Sequence, residues 1–266
     1  MSKQWCQTNV TGDTVQSPDL TCATWNVHRA KGRDGKRDPG RIVNAIETAI
    51  APIEPDVLAL QEADEECPPH AQILDIPAIE ATTGLHCIHT DPALRWGPES
   101  SGFLGTILFV APRLNVVHTD LIDLAGHCHR GAVSLELTDG LTRFRLMSMH
   151  LSLSQSLRAV QMRTLGQYIR RRPSMQTVLL GDLNEWRPWG GFAFSKSMLG
   201  RKFSGPAPAT FPTRTPILPL DRIMSDEPGT VREARVLNTP ETNIASDHCP
   251  LVAKVTIKGT VLGEPT

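Results

Sequence analysis

Apolar residues along this chain fall into short runs separated by polar, Gly- and Pro-rich segments. The period of each run predicts its element. Residues 20–27 predict a strand, followed by a charged, glycine-containing loop up to Asp38. Pro39 then opens a helical spacing at Ile42, Val43, Ile46 and Ala49, which Pro52 and Pro55 end. Residues 56–61 are nearly all apolar and bounded by proline and acid, which suits a strand covered on both faces. Strand, helix, strand is the opening of an α/β fold. Further strands are predicted at 106–110, 131–137 and 144–150, the last two joined by the turn residues Thr138-Asp139-Gly140. Residues 154–171 follow as an amphipathic helix, with Leu157, Val160, Leu165, Tyr168 and Ile169 as its apolar positions. Strands at 177–180, 220–224, 231–237 and 251–257 complete the pattern. With no internal repeat or low-complexity linker, a single domain over 20–258 is expected, between tails at 1–19 and 259–266.

Composition narrows the partners. The chain has 266 residues, 40% hydrophobic and 21% charged, which is enough to bury a sizeable core. The formal net charge of -1 argues against an enzyme that holds long nucleic acid through many phosphates, since such proteins carry a basic excess. The run Arg29 to Arg37 is either a local basic patch or a solvated loop. Six cysteines are scattered without a C-x-x-C pair, so neither a disulfide framework nor a structural zinc site is expected. Adjacent strand residues face opposite ways, so His127-Cys128-His129 is not expected to hold one zinc ion. No segment reaches the ~18–20 apolar residues of a membrane span. The first 19 residues lack the apolar core of a signal peptide. A cytoplasmic location is expected, with a membrane-peripheral role left open and no obligate protein partner indicated.

Polar residues gather where apolar strands end: Asn26, Gln61-Glu62, His150, Asp182 to Asn184, Asp221, and Ser246 to His248. Ligands in open α/β sheets bind at strand ends. Singly, each motif has an ordinary reading as a turn, a cap or a solvated group. Asp182 and Asn184, two apart beside Gly181, can share one side of the chain. Together the residues match the needs of phosphate-ester hydrolysis. Hard oxygen donors suit magnesium. A carboxylate can orient or deprotonate water, and a histidine held by a carboxylate can serve the phosphate.

In this order, Trp25-Asn26, Gln61-Glu62, His150, Gly181-Asp182-Leu183-Asn184, Leu220-Asp221 and Ser246-Asp247-His248 resemble the endonuclease/exonuclease/phosphatase superfamily across residues 20–258. The resemblance implies a four-layer α/β/β/α sandwich, of the deoxyribonuclease-I kind, with two mixed and mainly antiparallel sheets. It implies that Asn26, Glu62 and Asp247 hold magnesium or manganese. It gives Asp182 the attacking water, Asn184 the phosphate, and His248 the scissile phosphate under the orientation of Asp221. His150 is implied on the other side of the phosphate.

Small bacterial members are similar at Asn26-Val27-His28-Arg29, Gly32-Arg33-Asp34-Gly35, Arg130-Gly131-Ala132 and Thr210-Phe211-Pro212, which makes His28, Arg29 and Arg130 candidate phosphate contacts. Two departures matter. The tyrosine that apurinic endonucleases place near the phosphate is missing; the only tyrosine, Tyr168, sits in the helical pattern and suits core packing. The strand that usually carries an asparagine reads Leu104-Gly105-Thr106-Ile107. The expected activity is therefore metal-dependent hydrolysis of a small-molecule or phospholipid-derived phosphate ester. A nuclease with the same chemistry and a non-catalytic binding module are the alternatives.

Overall fold

The computed structural model describes residues 19–126 and 130–258, together with the backbone of 260–261. Residues 1–18, with Cys6, the His127-Cys128-His129 segment, and residues 259 and 262–266 lie outside the described residues, whereas Asp19 and Thr260–Val261, expected in the tails, belong to strands. The strands are β1 (Asp19–Asn26), β2 (Val57–Gln61), β3 (His86–Cys87), β4 (Ile107–Val110), β5 (Asn115–Leu124), β6 (Arg130–Thr138), β7 (Thr142–His150), β8 (Thr177–Asp182), β9 (Asp221–Ser225), β10 (Val231–Val236), β11 (Leu251–Thr256) and β12 (Thr260–Val261). The helices are α1 (Pro39–Ala45), α2 (Ile76–Thr83), α3 (Gln155–Arg171), α4 (Lys196–Leu199) and α5 (Pro240–Ala245).

These strands form two sheets. One has the order β10-β11-β1-β2-β4-β3; the other runs β5-β6-β7-β8-β9, with β12 beside β7. Each is antiparallel except for one parallel pair, β1 with β2 and β7 with β8. Strand alternation explains the layering. In β2, Val57 and Ala59 enter the core between the sheets, whereas Leu58 and Leu60 face the α1, α2 and α5 side. Both faces of β2 are covered, which is why its sequence is continuously apolar. A third cluster joins Met147, Met149 and Leu179 to Met162, Leu165 and Ile169 of α3. Three cores between four layers give the α/β/β/α sandwich.

Local signals place the boundaries. Pro39 occupies the start of α1, which continues through a wider π turn at Ile46–Ile50. Asp139 closes the β6–β7 hairpin by accepting from the backbone N–H groups of Leu141 and Thr142 at 2.9 and 2.7 Å. The edge strand β5 has no counterpart in the sequence reading. Only one of its ten side chains is buried, so it lacks the apolar run that marks a covered strand.

Helix α3 also faces differently from its simplest pattern. Val160 points to solvent, and Arg158 and Gln161 are buried instead. Arg158 donates to the carbonyls of Ser152 and Leu153, and Gln161 donates to Ala125 O and accepts from Ser152 N. This polar pair holds the loop that follows β7. Tyr168 packs its ring against the third cluster, while its hydroxyl donates to Asp120 Oδ2 at 2.6 Å. Among the described residues, no helix is long and apolar enough to cross a membrane.

Candidate active site

The site grows from the last inward position of several strands. In β7, Phe144 and Leu146 face the inter-sheet core; the same face continues to Ser148 and ends at His150. In β8 the same face carries Val178 and Leu180 and ends at Asp182. In β9 it carries Ile223, with Asp221 at the near end. Register then aligns His150 with Asp182 and Asp182 with Asp221, three polar groups in one row across the sheet. Asn26 ends the corresponding face of β1 in the opposite sheet, and its amide nitrogen donates to Asp182 Oδ2 at 2.9 Å.

The flanking loops are tied to this row. Asn26 Nδ2 also reaches Glu62 Oε1 at 3.2 Å, and Asn26 Oδ1 accepts from the His28 backbone N–H at 2.9 Å. Ser246 Oγ donates to Asn26 O and accepts from His248 N, and Trp25 Nε1 donates to His248 O at 2.8 Å. The first strand thus pins the loop before the last. His248 Nδ1 lies 2.8 Å from Asp221 Oδ2, which also accepts from Thr210 Oγ1 at 2.6 Å. His248 Nε2 is 3.8 Å from Asp182 Oδ2. Asp182 Oδ1 accepts from Asn184 N at 3.0 Å, while the Asn184 amide nitrogen donates to Leu151 O. Gly181 makes the approach of β8 to β7 possible. A Cβ there would fall 1.9 Å from Met149 O, at a φ of +135°.

His150 sits on the other flank of Asp182. Its Nε2 is 3.4 Å from Asp182 Oδ2 and 3.8 Å from Glu62 Oε1. Its Nδ1 lies 2.7 Å from Arg130 Nη1. A guanidinium only donates, so Nδ1 must accept and the single proton of a neutral ring sits on Nε2. Arg29 Nη1 lies 2.6 Å from Glu62 Oε2, and His28 Nδ1 lies 3.4 Å from Asp247 Oδ1.

Burial and neighbouring charge set the protonation of the row. Burial, then the Asp221 carboxylate, pushes Asp182 up to about 6, against the pull of His248 and Asn26. For His248, burial opposes the charged ring. Asp221, Asp182 and Asp247 more than offset it and raise the group to about 10. Burial, reinforced by Arg130, His248 and Arg29, holds His150 well below the ordinary histidine range. At neutral pH the row therefore pairs a charged His248 with a neutral His150 across Asp182.

These groups open on a cleft of about 420 Å³, lined by every sequence-predicted site residue except Asp221, which is fully buried behind His248. Sequence reasoning missed Thr210 and Ser246 as supports. A hydroxyl two residues before His248, and another eleven before Asp221, carries no sequence signal of the contact it makes. Arg29 and Arg37 do not form a free basic patch: Arg29 pairs with Glu62 and Glu66, and Arg37 with Glu65.

The donors also suit a cation. The ligand atoms of Asp182, Asp221 and His248 lie within 4.8 Å of one another. Asp221 Oδ1 is buried without a hydrogen-bond donor, and the buried oxygens Glu62 Oε2 and Asp247 Oδ1 meet only the side chains of Arg29 and His28. Carboxylate oxygens gathered around one cleft are the hard donors a divalent ion takes.

Sandwich, strand-end row and acid-rich cleft together define a phosphoesterase fold with a buried Asp/Asp/His cluster. The sequence profile of the Endonuclease/Exonuclease/phosphatase family matches residues 23–248, and the chain belongs to that family. Among solved structures, an endonuclease/exonuclease/phosphatase from Bacteroides vulgatus superposes with a TM-score of 0.68 at 16% identity, covering 91% of this chain and 100% of its own. One from Beutenbergia cavernae gives 0.61 at 20% identity, with 90% and 72% covered. TDP2 from Caenorhabditis elegans gives 0.59 at 18% identity, with 90% and 74% covered. At these identities the likeness is one of fold. No curated protein sequence matches the chain.

Proposed function

We propose that the protein hydrolyses a phosphate ester, small-molecule or phospholipid-derived, with a divalent ion and a water nucleophile. The observation that carries this reading is the row His150–Asp182–Asp221, with His248 beside it, on a cleft that Glu62 and Asp247 also line. Magnesium or manganese would be held by Glu62 and Asp247, with Asn26 completing the set once its amide turns. When bound, the ion would neutralise charge on the phosphoryl and leaving oxygens. Glu62 and Asp247 offer it hard oxygen donors, whereas His248 turns its Nδ1 to Asp221.

The chain's own groups then divide the proton work. Asp182 is basic for a carboxylate, yet largely ionised at neutral pH, so it takes the proton of water. The Asn184 backbone N–H aims it. His248, charged and fixed by Asp221, donates to a phosphate oxygen. His150 gives a neutral Nε2–H from the opposite flank, with its tautomer fixed by Arg130. One Asn184 amide hydrogen goes to Leu151 O, which leaves the second for a phosphate oxygen. His28 and Arg29 stand at the cleft wall as phosphate contacts.

The test is hydrolysis of a panel with magnesium, manganese or chelator, using Asp182→Asn as the blank. The panel holds bis-(p-nitrophenyl) phosphate, phospholipids, sphingomyelin, inositol phosphates, plasmid DNA and an abasic duplex. Metal-dependent release that the blank lacks supports the reading. Preference for DNA would move the protein to the nuclease alternative. Metal binding without turnover on any member would favour a binding module.

A further inference from the structure

The cleft has two chemically different walls. Its polar wall carries the row described above. Its other lining is Leu153, Trp186, Phe211, Leu218 and Leu220. Apolar side chains gathered on one wall of a cleft mark a contact surface, and a free phosphate or a polar headgroup gains nothing from them. Leu153 is 76% exposed and Trp186 is 50% exposed, so neither is there to fill the core. Phe211 joins the two walls: its ring centroid lies 4.9 Å from that of His248.

Trp186 is also braced. The Arg187 guanidinium lies 4.7 Å from its ring, and Arg187 is itself held by Glu185 and Gln155. Behind it, Arg222 is buried and donates to the carbonyls of Glu185, Arg187 and Pro188, on both sides of Trp186. A loop that spends a buried arginine on three of its own carbonyls presents its tryptophan in one place. Pre-organised aromatic surface is cheap to bind against.

We infer that the apolar wall is a substrate subsite, with Trp186 as its platform, for an apolar organic group esterified to the phosphate. This deepens the phosphoesterase reading and rests on it for the location of the phosphate. The phosphate meets His150, Asp182 and His248, and the organic group lies along Trp186 toward Phe211 and Leu218. An aromatic ring and an alkyl chain share the required chemistry. A sugar or inositol ring lacks it.

Three methyl phosphodiesters with methyl, phenyl or octyl as the second ester keep methanol as the leaving group that is read and vary the apolar group. With magnesium and the full chain, kcat/KM for the phenyl or octyl ester is expected to exceed that for methyl about tenfold. That ratio should fall toward one in Trp186→Ala and return largely in Trp186→Phe. The better of phenyl and octyl names the source, ring or chain. Equal rates for all three esters, or a ratio unchanged in Trp186→Ala, overturn the inference. If none is hydrolysed, the phosphoesterase reading fails first, and calorimetry with methyl and octyl phosphate decides the subsite. Tighter, Trp186-dependent binding of octyl phosphate upholds it, and equal binding overturns it.

Discussion

Asp221→Asn isolates one charge in the row. Asparagine keeps an acceptor for the His248 Nδ1–H and for Thr210, so the geometry is retained and the carboxylate charge is lost. His248 is raised from 6.5 to about 10, despite burial that works the other way. That difference corresponds to about 5 kcal/mol of preference for the charged ring. With Asp221 neutral, burial remains, and only Asp182 and Asp247 are left to oppose it. Because Asp182 itself is partly protonated near pH 6, its support weakens as the solution becomes acidic.

The titration of His248 should therefore fall by several units, into or below the ordinary histidine range. The assay is the pH dependence of the His248 ring resonances by NMR, in chelator-treated protein, between about pH 5 and 9. The unaltered protein should show a charged ring throughout, and Asp221→Asn a ring that loses its proton inside or below that window. Stability must follow with the correct sign. A folded-state value above the unfolded one contributes stability below about pH 6.5, lost as pH rises through about 10. The stability gap between the two proteins should thus be widest in mild acid and shrink in alkali. Turnover in Asp221→Asn should drop by about 10²–10⁴-fold. A His248 that titrates near 6.5 in the unaltered protein, or an unmoved titration in the variant, would refute this account of the row.

Other perturbations test other parts of the structure. Gly181→Ala must push β7 away from β8, since its Cβ meets Met149 O, and should lower stability by roughly 2–4 kcal/mol in urea unfolding; an unchanged midpoint sinks the packing claim. Glu62→Gln should weaken manganese binding by about tenfold or more in calorimetry, and equal affinity would remove Glu62 from the cation site. Arg130→Met frees His150 Nδ1, so the nitrogen shifts of that ring should leave the pure Nε2–H form, with kcat lowered on the order of 10²-fold; a ring unchanged in its nitrogen spectrum would show that Arg130 does not set the tautomer. Burial holds His89 down to about 4, with Nδ1 on Leu94 O. Its depressed value contributes stability above about pH 6.5 that is lost as pH falls through about 4, worth about 3 kcal/mol. His89→Phe should flatten that acid decline, and a decline of equal slope in both proteins would exclude His89 as its source.

The fold was legible where burial leaves a pattern. The double-covered strand β2 reads as one apolar run because Leu58 and Leu60 are as buried as Val57 and Ala59. The β6–β7 hairpin reads from Asp139 and Gly140, whose turn chemistry is local. Strand β5 was not legible. An edge strand is stabilised by backbone pairing with β6, and its side chains carry no record of that. Helix α3 misled at Val160 because periodicity assumes that buried means apolar. Here Arg158 and Gln161 are buried to hold loop carbonyls, and the helix turns accordingly.

For the site, residue types and convergence were legible, because a strand's period of two puts each terminal polar group on the face its apolar residues define. Proton placement was not. Two histidines that look alike in sequence sit on either side of one carboxylate and carry different charge. The difference comes from partners set by topology: Asp221 reaches His248 across 27 positions, and Arg130 reaches His150 across 20. An arginine and an aspartate impose opposite demands on the ring nitrogen they touch, one requiring a lone pair and the other a proton. Arg130 stood out in the sequence only as a candidate phosphate contact. Its contact with His150 gives it an earlier task. It settles which nitrogen of that ring faces Asp182 with a proton, and so which side of the cleft can donate without being charged.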